Sequence, residues 1–100
     1  MIRPGDIVPR RDANNDMFII VLSNPIHLAA ETGRLITCPF IPGEIPNATM
    51  AMVVPVRDPN GVALPELVQW LPAAALDEPI GNVGPTALHE TTTLVTALIS

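Results

Sequence analysis

The chain has 100 residues, of which 48% are hydrophobic and 15% charged, and a formal net charge of −5. Residues 1–100 are read as one small domain, which at this size buries only about 60–70% of its unfolded surface. So little charge on so much surface predicts that part of it is covered by another chain. All five basic residues are arginines within the first 57 positions, while residues 58–100 hold five acids and no base. That distribution excludes non-specific nucleic-acid binding by many lysines and arginines, but leaves room for a local site built from the N-terminal arginines.

Cys38 is the lone cysteine, which excludes an intrachain disulfide and a two-cysteine metal site. The start, MIRPGDIVPRR, has no apolar signal segment, and no apolar run approaches the ~20 residues of a membrane helix. The expectation is a soluble chain in a reducing cytoplasm, with no membrane partner and no cofactor.

Twelve prolines favour short strands over an all-helical domain. GDIV (5–8) reads as a first strand. MFIIVLS (17–23) is the strongest strand signal, dense in β-branched residues. Ser23-Asn24-Pro25 ends it as a turn, and NPIHLAAET reads as a loop. GRLITCPF (33–40) and TMAMVVPVR (49–57) are the third and fourth strands, separated by the turn-rich PGEIPNA. DPNG (58–61) is a turn: proline presets φ, and Asn-Gly tolerates positive φ. ELVQWLP (66–72) is a fifth strand, AAALDE one helical turn, and PIGNVG a short glycine-bounded piece. GPTALHETTTLVTALIS (84–100) is a helix with Gly84 as cap and Pro85 in its first turn. Leu88, Val95, Leu98 and Ile99 fall roughly on one face. The order predicts a mainly β fold with a C-terminal helix, a small SH3-like barrel.

Few residues carry obvious chemistry. His27 and His89 have no acid at ligand spacing, so no metal site is expected. No phosphate-cradling glycine motif and no GxSxG elbow occurs. Three aromatics are too few for an RNA-stacking platform. Arg10-Arg11 is the one charge cluster. Either it is a solvated turn flanked by Asp12 and Asp16, or one guanidinium faces a phosphate, which its planar fork of donors suits.

Taken in order, RPGDIV, IIVLSN, LITCPFIP, NGVALPELVQWL and IGNVGPTALHETTTLVTALI resemble the MazF/PemK family of toxin endoribonucleases across nearly the whole chain. The resemblance implies an SH3-like (CcdB/MazF-like) barrel, a homodimer, a cognate antitoxin and metal-independent cleavage of single-stranded RNA (mRNA). Two family positions differ here. Met17-Phe18 stands where the family has an Arg-Pro pair before the second strand, and Ile41 stands where it has a hydroxyl after the third-strand proline. Methionine can neither carry charge nor donate a hydrogen bond. The site expected from the resemblance is therefore rearranged. Arg10, Arg11 and Thr37 become the catalytic groups, and Ser23, Asn24, His27 and Phe40 the RNA contacts, beside a groove between the 10–16 and 40–48 loops. The alternative is a barrel that has lost the reaction and acts by binding a protein, an antitoxin or a topoisomerase.

Overall fold

The computed structural model describes residues 1–11, 17–43 and 52–99. Its centre is three neighbouring antiparallel strands, β1 (Asp6–Pro9), β2 (Phe18–Val21) and β3 (Arg34–Pro42). β2 pairs with β3 through Phe18–Phe40 to Val21–Thr37, and with β1 through Ile7–Ile20 to Pro9–Phe18. At nine residues, β3 is long enough to take different partners along its other edge. Residues 40–42 pair with β5 (Asn60–Ala63), and residues 34–37 pair with β6 (Gln69–Pro72). β4 (Val54–Arg57) closes a hairpin on β5, and β7 (Gly81–Asn82) covers the outer edge of β1. The result is a curled antiparallel sheet, a half-barrel, with the helix α2 (Gly84–Ile99) packed on one side.

β1 and β2 are buried on both faces, which is why their sequences are nearly unbroken apolar runs rather than alternating ones. Alternate side chains divide between two cores. Ile7, Ile20, Cys38 and Phe40 meet Ala87, Leu88, Leu94 and Val95 of α2. Val8, Ile19, Val21, Leu35 and Leu71 fill the other face, with Leu28 and Leu76. Each such side chain contributes about 1.5–3 kcal/mol when fully buried. The threonines that weaken α2 by propensity are absorbed locally: Thr91 donates to the Ala87 carbonyl at 2.7 Å and Thr92 to that of Leu88 at 3.0 Å.

Several expectations change. The 25–29 segment is a short helix, α1 (Pro25–Ala29), not a loop. DPNG does turn the chain, but its Asn-Gly belongs to a further strand, β5. The segment 66–72 divides: Pro65–Leu67 forms a 3-10 turn, and the strand begins at Gln69. The buried stripe of α2 runs through Ala87, Leu88, Thr91, Leu94 and Val95, while Leu98 and Ile99 are exposed. Most of the 10–16 and 40–48 loops, and the start of the 49–57 segment, lie outside the described residues.

Asn82 fastens the sheet to the helix. Its amide donates to the Pro4 carbonyl at 3.1 Å and to Asp6 Oδ1 at 2.9 Å, and its Oδ1 accepts the Gly84 N–H at 2.8 Å. Gly61 lies under the Phe40 ring. A Cβ there would run into Phe40 Cζ and come within 2.6 Å of the Ile41 carbonyl oxygen. Gly61→Ala is therefore expected to lower stability by about 1–3 kcal/mol, read as an earlier urea midpoint; an unchanged midpoint would show that the hairpin yields.

Burial pushes the Cys38 thiol from 9.0 up to about 12, opposed by a weaker backbone hydrogen bond with Leu64. The raised value means that the unfolded chain loses this proton first. Stability is unaffected below the unfolded pKa and falls as pH rises from there toward the folded value. Cys38 should resist a thiol reagent until urea unfolds the chain. The gap in stability between the wild type and Cys38→Ala should shift against the wild type from about pH 8 to about pH 10.

Candidate functional site

The two sheet registers place the diverged positions side by side. In β1–β2 each pair descends by one step to Pro9–Phe18, and the next step sets Arg10 opposite Met17. The Arg10 N–H donates to the Met17 carbonyl at 3.0 Å, which continues the ladder. In β2–β3 the step beyond Phe18–Phe40 sets Met17 opposite Ile41. Arg10, Met17 and Ile41 thus form one row across three strands, and directly opposed side chains share a face of the sheet. Met17 and Ile41 are 46% and 42% exposed. An arginine thus stands one strand away from Met17, on the neighbouring position of that row. Arg11, next along, is exposed, and its Nη2 lies 3.2 Å from Asp77 Oδ1. An ion pair so open to water contributes at most about 1 kcal/mol.

A second cluster forms at the opposite end of β2. Asn24 caps α1: its Oδ1 accepts the His27 N–H at 2.8 Å, and Pro25 follows in the first turn. The cap fixes His27 over the strand end. Ser23, fully buried, accepts the Ile36 N–H on its Oγ at 2.8 Å and lies 2.7 Å from His27 Nδ1. On the other side of the ring, Nε2 is 3.4 Å from Thr32 Oγ1, which donates to the Arg34 carbonyl and accepts the Arg34 N–H. Trp70 of β6 stands edge-on to His27, with ring centroids 5.4 Å apart at 78°. A groove of about 520 Å³ opens alongside, lined by Ser23, Asn24, His27, Leu88, His89 and Thr92.

The structure therefore separates the residues expected in one site. Arg10 and Arg11 are at one end of the β1–β2 ladder, and Ser23, Asn24 and His27 are together at the other. Six residue steps, roughly 20 Å, separate Met17 of the row from Ser23. Two expectations are corrected. Thr37 is fully buried, and its hydroxyl donates to the Gln69 carbonyl at 3.0 Å, so it fastens β3 to β6 and faces no ligand. Phe40 is core, over Gly61. Trp70 and Thr32 were missed, since only the β3–β6 pairing and the 30–34 turn bring them to His27. Among the described residues, no three His, Cys, Asp or Glu side chains gather as metal ligands, and no helix is long and apolar enough to cross a membrane.

The same curled sheet and closing helix occur in MazF toxins. A MazE–MazF complex from Deinococcus radiodurans superposes with a TM-score of 0.76 at 17% identity, over 98% of this chain and 95% of that one. A mycobacterial endoribonuclease in complex with its cognate antitoxin gives 0.72 at 16% identity, over 98% and 95%. The fold is MazF-like. Sequence gives the particular family: residues 5–98 match the type II toxin–antitoxin system toxin Rv0299 family, to which the chain belongs. It is 60% identical to Toxin Rv0299 of Mycobacterium tuberculosis (strain ATCC 25618 / H37Rv) over 99 residues, 99% of each chain.

The cap is testable apart from any activity. Asn24→Ala should cost about 1 kcal/mol in urea denaturation and Asn24→Asp much less; equal losses would show that the cap hydrogen bond contributes nothing.

Proposed function

We propose that this type II toxin is a metal-independent endoribonuclease acting on single-stranded RNA in the cytoplasm, as a homodimer restrained by a cognate antitoxin. The observation that carries the reading is the row Arg10–Met17–Ile41. It keeps a guanidinium on the cross-strand neighbour of the family's arginine position, so the charge is moved rather than lost. In RNA cleavage the 2′-hydroxyl gives up its proton and attacks the adjacent phosphorus. The bond to the 5′ oxygen breaks, and that oxygen takes a proton. Negative charge builds on the non-bridging oxygens, where a bidentate guanidinium stabilises it. Arg10 takes that role, and Arg11, tethered to Asp77, steers the backbone.

The antitoxin part of the reading draws on the toxin–antitoxin complexes that the fold matches, and the dimer part on exposed apolar residues such as Leu67, Leu98 and Ile99. A protein-binding toxin without RNA cleavage has one observation in its favour: Met17 and Ile41 present an apolar pair at the centre of the row. The two readings separate cleanly. Purified protein should cut a long single-stranded RNA in EDTA, and Arg10→Ala should slow cutting by about 10²–10³-fold, with Arg11→Ala milder. RNA left intact by the wild type, with growth arrest on induction and stable mRNA, would establish the protein-binding alternative.

A further inference from the structure

We propose that His27 and Trp70 form a subsite for one unpaired nucleotide of single-stranded RNA, separate from the arginine row; this rests on the RNA-directed reading above. The first argument is the proton arrangement around His27. Ser23 Oγ already accepts the Ile36 N–H. Among the described residues, His27 Nδ1, at 2.7 Å, is the acceptor within reach of the remaining hydroxyl proton. Nδ1 then accepts, and the neutral ring carries its hydrogen on Nε2. The other side agrees: Thr32 Oγ1 spends its hydrogen on the Arg34 carbonyl and can take the Nε2–H only as an acceptor. Its distance of 3.4 Å is long for a hydrogen bond, so an acceptor on a ligand can displace Thr32. Ser23 is a positioning residue, holding an N–H donor ready without touching the ligand.

The second argument is Trp70. It is 57% exposed although it is a strand residue beside a histidine. The edge-on contact with His27 covers at most one face of the indole. An exposed indole face stacks on any base, and a neighbouring N–H donor suits a phosphate or base acceptor. The groove beyond His27 adds His89 and Thr92 as further polar groups. One aromatic is too few for a stacking platform but sufficient for one base. With the arginine row roughly 20 Å away along this extended segment, the subsite would hold a nucleotide away from the scissile phosphate and contribute to sequence choice.

Trp70 is the chain's only tryptophan, so intrinsic fluorescence reports on this site alone. Titration of the full-length wild type with a short 2′-O-methyl oligonucleotide, which cannot be cut, should quench it saturably. His27→Ala should weaken that binding about tenfold, and Trp70→Phe should alter cleavage preference among RNA sequences. Nitrogen-15 NMR of the imidazole should show the Nε2–H tautomer in the wild type, and in Ser23→Ala the Nδ1 resonance should move as its hydroxyl donor is removed. Absence of quenching by RNA while the protein still cleaves would overturn the subsite and leave the nuclease reading standing. Saturable quenching without cleavage would keep the subsite and overturn the nuclease reading. Quenching by an antitoxin-derived peptide but not by RNA would reassign the site to protein binding, and an Nδ1–H tautomer would overturn the role of Ser23.

Discussion

The molecule depends on the pairing of β3 along both of its edges. Nine residues of one strand hold β2 on one side and, in succession, β6 and β5 on the other. A strand serving three partners has no freedom of register, because a one-residue slip would turn every side chain to the wrong face. The same register decides what lies beside what at both ends of β2. Toward Phe40 it aligns Ile41 with Met17 and, through β1, with Arg10. Toward Arg34 it puts the Ile36 N–H under Ser23 Oγ and Trp70 beside His27.

Much of this was legible in the chain. IIV between polar ends gives a buried strand, and Gly-Pro ahead of an apolar stripe gives α2, because these signals depend on local geometry and burial. The missed elements needed distant partners. NGVA became a strand because β3 offered an edge and Phe40 needed a residue without a side chain beneath its ring. Asn24-Pro25 reads locally as a turn, although the same pair, a capping side chain and a proline in the first turn, also starts a helix. The site was legible only in pieces. Arg10 could be singled out from the sequence, but its place opposite Met17 follows from register. Thr37 looked like an available hydroxyl, and only cross-strand packing shows it buried against the Gln69 carbonyl.

The two ends of the sheet differ in chemistry as well as position. The Arg10 end offers fixed positive charge that suits a phosphate. The His27 end offers donors, hydroxyls and one indole, which suit recognition more than charge stabilisation. With a net charge of −5, all of it from residues 58–100, the surface as a whole repels a polyanion. On the nuclease reading, affinity for RNA must then come from a few directed contacts, with a salt dependence that is shallow compared with polybasic binders.

Asn82 has a consequence for how the molecule comes into being. Its side chain joins residues 4–6 to residue 84, so the outer edge of β1 closes only against a segment that lies 76 positions further along the chain. Contacts so distant in sequence form late, after the closure of a long loop. A nascent chain that has not reached residues 81–84 leaves β1 with an open edge and has not yet made α2. The first strand therefore stays unsealed until residues 81–84 have been made, and a shorter nascent chain cannot close the sheet on this side.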